Sequence, residues 1–423
     1  MFAGLKRLFE KKSSIKERLP FYDIVCPYCF FKFHHEEVVF RAAHDRDDDE
    51  ALALQEDEKL NHYRAGFGLA PIDELEAVID PARISNEQKI YSNHVLTGVI
   101  DPYSVVTKIR LCPHCHNDLP ITAGKYPSNI VSIVGATSVG KTVYMTTLIH
   151  TLQHKTAPNF NAACIPLNTE ISRRYRSNYE IPLLEKGSLL PSTEKATRQE
   201  PFIFQFIFKD EDQAPLTLVF FDVAGEGMTD KDYLSLHAAH IKNSAGILFL
   251  VDPMQIRTIR EKLLYQMGEH SEEIAAASLG DDPREVIISL FGDFIAHLDD
   301  NKTDIPTAVV LTKSDLLAVL KNDSDYISEN SNVFRNFTHR GYLHLDEFEN
   351  INGEIHRFLA RVDTPFVNAL DVYFKHTSYF AVSALGRHPV NQQVSGIVSP
   401  VRVDEPFIWL LYQLGYIEGR HGE

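Results

Sequence analysis

Residues 135–142, Gly135-Ala136-Thr137-Ser138-Val139-Gly140-Lys141-Thr142, match the pattern G-x-x-x-x-G-K-[ST] at every fixed position. That spacing suits the wrapping of a phosphate chain. The glycines let the backbone bend tightly, and the N–H groups of the loop and of the helix that follows face the anion. Lys141 supplies a point charge at the β and γ phosphates, where it is also a candidate catalytic group, and Thr142 offers its hydroxyl to Mg²⁺. Gly135, Ser138, Val139, Gly140, Lys141 and Thr142 are therefore candidate phosphate-binding residues.

Three later stretches bear on the nucleotide. "LVFFDVAGEG" places Asp222 at a strand end, where a carboxylate can hold Mg²⁺ through water, and Gly225 three residues on, where a backbone N–H can sense a γ phosphate. "VVLTKSD" places Thr312, Lys313 and Asp315 after an apolar run. A carboxylate at Asp315 can accept from both N1–H and the exocyclic amine of guanine. Adenine lacks that donor pair and would leave Asp315 unsatisfied. The Lys313 stem can lie over the purine. "YFAVSALG" brings Ser383, Ala384 and Leu385 to the end of a further apolar run, within backbone reach of the guanine oxygen.

The order phosphate loop, hairpin, DxxG, TKxD, SAL resembles the Ras-like and dynamin-like class of translation-factor-related GTPases, over roughly residues 128–423. The resemblance implies a P-loop GTPase fold, GTP and GDP as ligands, and Mg²⁺ as cofactor. TKSD stands where NKxD is commoner, so Thr312 replaces the Asn that steadies the phosphate loop. SAL stands in place of SAK. Glu226 follows Gly225 where many members carry Gln to orient water, which implies slow intrinsic hydrolysis with Glu226 as a candidate catalytic residue. Thr193 and Thr197 both qualify for the first-switch threonine. Thr193 is preferred because "GSLLPST" is a loop that could order on nucleotide. Arg198 is a candidate internal arginine finger or a solvated arginine. The rival readings are a nucleotide-binding scaffold without hydrolysis, and an ATPase in which TKSD reads no base.

A second constellation lies upstream. Cys26 and Cys29 in "VCPYCFFKF", and Cys112 and Cys115 in "RLCPHCHNDLP", form two C-P-x-C knuckles. Four thiolates can close a tetrahedron around Zn²⁺, and a closed Cys₄ site is structural because it leaves no open position. Cys164 reads as an ordinary buried cysteine. A zinc ribbon ahead of a GTPase domain, with the "LPST" and "VDEPFIWLLYQLG" stretches, is loosely similar to double-GTPase-type proteins of bacterial conflict and defence operons. That similarity implies a regulatory switch.

These residues need a scaffold. "NIVSIVG", "AGILFLVD", "PTAVVLT" and "TSYFAVS" are apolar runs that suit buried parallel strands. "PFIFQFIF" and "PLTLVFFD" are joined by the short turn "KDEDQA", which forces an antiparallel hairpin. The expected fold is α/β, a P-loop GTPase with a mixed, mostly parallel sheet behind a small zinc ribbon. The expected organisation is a basic amphipathic lead segment at 1–20, a ribbon at 21–125 split by a partly helical, partly mobile insertion at about 41–103, and the GTPase domain at 126–423. That domain would carry helical insertions at about 254–305 and 317–376.

The formal charge of −16 argues against a protein that coats nucleic acid, and favours a protein effector reached through the ribbon or the insertions. No run of 18 or more apolar residues is present, and the basic start lacks the apolar core of a secretion signal, so a cytoplasmic location is expected. Phe2, Leu5, Leu8 and Phe9 fall near helical spacing among basic residues. The segment is either a helix that touches an acidic membrane surface or partner, or a solvated terminal helix.

Overall fold

The computed structural model describes residues 23–136, 138–190, 200–210, 213–220, 240–267, 282–288, 302–320, 327–328, 330–389 and 393–422. The chain divides into two compact units, Met1–Ser128 and Asn129–Glu423.

The larger unit is built on four parallel strands: β9 (Ile130–Gly135), β13 (Ser244–Val251), β14 (Thr307–Leu311) and β16 (Thr377–Ala381), in spatial order β16-β14-β13-β9. Each is a nearly unbroken apolar run, and the strands are buried on both faces, as parallel strands covered by helices must be. The register pairs Leu250 with Gly135, Val251 with Leu311, and Leu311 with Ala381. The carboxyl ends of all four strands therefore finish on one edge, the edge at which open α/β sheets take ligands.

β11 (Phe202–Phe208) and β12 (Leu216–Phe220) form the antiparallel hairpin, with Phe202 opposite Phe220 and Phe206 opposite Leu216. β12 runs alongside β9. A third strand that sequence patterning does not reveal, β10 (Ala162–Pro166), pairs antiparallel with β11. Its residues alternate between buried and exposed and it ends in proline, so it lacks the continuous apolar signal of the central strands.

Helices cover the sheet. α2 (Lys141–Thr151) follows the phosphate loop. α3 (Thr169–Tyr175) and a ten-residue π-helical segment, Arg176–Glu185, precede the hairpin. Among the described residues, α4 (Arg257–Met267), α5 (Leu345–Val362), α6 (Thr364–Tyr373) and α7 (Glu405–Gln413) are the longer helices that follow. α5 buries Ile351, Ile355, Phe358, Leu359 and Val362, one helical stripe, and lies against β16, with the short strand β15 (Tyr342–His344) leading into it. The "VDEPFIWLLYQLG" stretch becomes α7 and its approach. Tyr144 Oη of α2 donates to the Val403 carbonyl at 3.1 Å, and Thr156 Oγ1 donates to Asp404 at 2.8 Å. The C-terminal stretch thus holds the helix that carries the phosphate loop.

The smaller unit is made of short strands. β1 (Ile24–Val25) pairs with β2 (Lys32–Phe33). β3 (Val39–Arg41) lies between β4 (Val78–Ile79) and β8 (Arg110–Leu111). β5 (Lys89–Ser92), β6 (Val95–Ile100) and β7 (Val106–Thr107) form a third sheet. The stretch 41–103 contributes one α-helix, α1 (Glu58–Ala65), two 3-10 turns and several short strands. Ala42, Leu52 and Ala77 form a small core of their own there, and Asp57 binds Arg41 across it.

Candidate nucleotide site and cysteine cluster

β9 ends at Gly135, and the loop turns into α2 at Lys141. The turn needs two left-handed residues, Ser138 at φ 65° and Gly140 at φ 86°, the second of which only glycine adopts without strain. Lys141 is buried, and its Nζ donates to the carbonyls of Gly135 and Ala136 at 3.0 and 2.9 Å. The ammonium is thus held across the loop by the loop's own carbonyls. Among the described residues, the backbone N–H groups of Ser138, Val139 and Gly140 donate to no protein acceptor, as anion-binding donors must not.

The TKSD residues return to this loop. Thr312 Oγ1 lies 3.0 Å from the Val139 carbonyl and 3.2 Å from the Val251 carbonyl, so it bridges the phosphate loop and the end of β13. Lys313 has φ 50° and passes over the loop, its Nζ 3.2 Å from the Ser138 carbonyl. Sequence reasoning missed its counter-ion. Asp252, fully buried at the end of "AGILFLVD", accepts from Lys313 Nζ at 2.5 Å and from the Met254 N–H at 2.8 Å. A carboxylate at the end of an apolar strand was the available signal.

SAL meets TKSD. Ser383 Oγ donates to Asp315 Oδ1 at 2.5 Å and accepts from the Gly386 N–H at 2.9 Å. Gly386 has φ 76°, and a Cβ there would fall 2.0 Å from the Ser399 carbonyl oxygen, so this tight turn excludes any side chain. Ala384 is half-buried. Leu385 points into an apolar cluster with Leu183 and Val394, bordered by Val143 of α2, Leu189 and Leu190. A cavity of about 410 Å³ opens beside Asp315 and Ser383, lined also by Phe334, Arg387, His388 and Val401. Arg387 and His388 were not foreseen, because no spacing rule marks them. Thr193, Thr197, Arg198, Asp222, Gly225 and Glu226 lie outside the described residues, as does Thr137.

In the smaller unit the two knuckles repeat one geometry. The Tyr28 N–H points at Cys26 Sγ and the His114 N–H at Cys112 Sγ, both at 3.4 Å. Phe30 and His116, each just after the second cysteine, take φ 59° and 52° and donate their N–H to the Cys26 and Cys112 carbonyls at 2.9 Å. Four sulfurs converge: Cys26 and Cys115 are 3.7 Å apart, Cys29 and Cys112 3.7 Å, and all lie within 4.8 Å of one another. Burial and the neighbouring thiols push Cys26 up, while hydrogen bonds from Cys115, Cys26 and Cys29 pull Cys112 down. The four-sulfur donor set fits Zn²⁺ in a closed structural site. Cys164 is buried in β10, where desolvation pushes its thiol up.

Among the described residues no helix is long and apolar enough to cross a membrane.

The chain is 25% identical over 333 residues to the putative ESX-1 scaffolding and assembly protein SaeC of Mycolicibacterium smegmatis, covering 73% of this chain and 81% of that protein. Among solved structures it aligns with the Arl6 BBS3 small GTPase of Trypanosoma brucei at 12% identity and TM-score 0.28, over 69% of this chain and 99% of that one. It also aligns with Era of Aquifex aeolicus at 14% identity and TM-score 0.28, over 70% and 59%. For the Ski7 GTPase-like domain of S. cerevisiae the figures are 14% and 0.30, over 69% and 52%. The model of the Double-GTPase 2 family matches residues 129–353, more than half of the chain. With its phosphate loop, parallel sheet and strand-end motifs, this chain belongs to the Double-GTPase 2 family.

Proposed function

We propose that the protein is a guanine-nucleotide switch that hydrolyses GTP slowly and signals to a protein partner. One observation carries this reading: three motifs far apart in sequence are tied at one sheet edge, Thr312 to the phosphate loop and Ser383 to Asp315. In the reading, the loop N–H groups and Lys141 hold the phosphates, and Thr142 with Asp222 holds Mg²⁺. Asp315 reads guanine, Lys313 covers the base, and the backbone at Ala384 and Leu385 meets its oxygen. Mg²⁺ supplies charge neutralisation on the β and γ phosphates.

Gly225 and Thr193 would sense the γ phosphate, and Glu226 would orient water less well than an amide. The apolar cluster supports coupling. Leu189 and Leu190 stand immediately before the Thr193 segment and pack with Leu385 and Val143, so order in that segment would reach both the base loop and α2. We read the chain as a zinc ribbon with its insertion followed by a GTPase domain, the ribbon or the insertions meeting the partner. Single-turnover phosphate release tests hydrolysis. Release from GTP in the native chain, with none in Lys141→Ala, is expected; full activity in that variant would remove the site assignment.

A second reading is a scaffold that binds nucleotide without turnover. It is favoured by the relative's name as a scaffolding and assembly protein. Tight GTP binding with no phosphate release over hours would select it.

A further inference from the structure

A second group of metal-ligating side chains lies away from both sites. His150 is near the end of α2, and His154 follows four residues later in a five-residue π-helical turn, Leu152–Thr156, so the two share one helix face. Their rings are 4.4 Å apart. Glu180 reaches them from the separate segment Arg176–Glu185. One ligand atom from each of the three lies within 4.8 Å of the others. His150 Nδ1 is 2.9 Å from Glu180 Oε1, an ordinary hydrogen bond. His154 Nε2 faces the same oxygen at 3.9 Å, too long for a hydrogen bond.

Around a tetrahedral ion with bonds of about 2.0–2.1 Å, ligand atoms stand about 3.4 Å apart, between those two distances. A hydrogen bond joins His150 to Glu180, and His154 packs on His150 and faces the same carboxylate oxygen from beyond hydrogen-bond reach, so all three converge on one point. We propose that His150, His154 and Glu180 form a binding site for a divalent transition-metal ion of the zinc type. Two imidazoles and a carboxylate favour such an ion over Mg²⁺, which takes oxygen ligands and keeps its waters. Three protein ligands leave a fourth position for water. The ion would clamp α2, the helix that begins at the phosphate loop, to the segment that runs on to Leu189 and Leu190. Both ligand helices are π-widened at this point, a distortion frequent at functional sites.

The inference does not depend on which nucleotide the loop holds. Its test is calorimetric titration of the full chain, first loaded with one equivalent of Zn²⁺ and dialysed, with ZnCl₂ and separately with NiCl₂. A second equivalent is expected, weakened about tenfold or more by His154→Ala and by Glu180→Gln, and not displaced by MgCl₂. His154 is 63% exposed, so its removal leaves the fold intact, which an unchanged melting temperature of the metal-free variant checks. Absence of a second equivalent overturns the proposal. So does a second equivalent that both substitutions leave unchanged, since the ion then sits elsewhere.

Discussion

At the scale of single residues, Asp315 and Asp57 show two uses of a carboxylate. Asp315 accepts from the Ser383 hydroxyl and lines a cavity, so its carboxylate is anchored before any ligand arrives. If Asp315 reads guanine as proposed, Asp315→Asn replaces one acceptor with a donor facing the base's own donors. GTP affinity is expected to fall by about 100-fold or more, as read by competition against a fluorescent guanine nucleotide.

Asp57 is structural. Burial alone would raise its carboxyl, but the hydrogen bonds from His116, the Leu60 N–H and Arg41 outweigh that and hold it well below the usual carboxylate range. Its folded value lies below its unfolded value of about 3.9. The stability it contributes is therefore present above about pH 4 and is lost as pH falls through the folded value. Asp57→Asn leaves Arg41 without its charge partner and is expected to cost about 3 kcal/mol at pH 7. Urea titrations of both chains should show that deficit shrinking below about pH 4.

At the scale of elements, the central strands of the larger unit were legible because each is a mostly apolar run with few polar interruptions, from "NIVSIVG" to "TSYFAVS". The hairpin was legible because its turn is too short for a crossover. β10 was not, since a half-exposed edge strand carries little pattern. The short strands of 41–103 were hidden for a related reason. They run two to six residues among acidic and polar stretches, and their stability comes from pairing across the unit and from the Arg41–Asp57 contact.

The site shows the same division. Motif spacing marks Thr312, Lys313, Asp315 and Ser383, but Asp252 acquires its meaning only when β13 and β14 lie side by side. The replacement of SAK by SAL also becomes intelligible here. Leu385 is an anchor in an apolar cluster rather than a solvent-facing residue. Leu385→Ala should destabilise the larger unit by about 2–4 kcal/mol and loosen the turn that carries Ser383. Denaturant unfolding would read the first effect and nucleotide dissociation rates the second.

At the scale of the whole molecule, the cysteine cluster belongs to one compact unit and the phosphate loop to the other. The cysteine cluster is expected to retain one Zn²⁺ per chain through gel filtration. Cys112→Ser should lose that ion and lower the melting temperature, as read by elemental analysis and thermal melts.

The nucleotide site is tested by calorimetric titration of the nucleotide-free full chain with non-hydrolysable GTP and ATP analogues, Mg²⁺ present. Guanine recognition by Asp315 predicts tight binding of the GTP analogue and little of the ATP analogue. Equal binding, or a preference for ATP, would contradict it, because Asp315 would then not read the base.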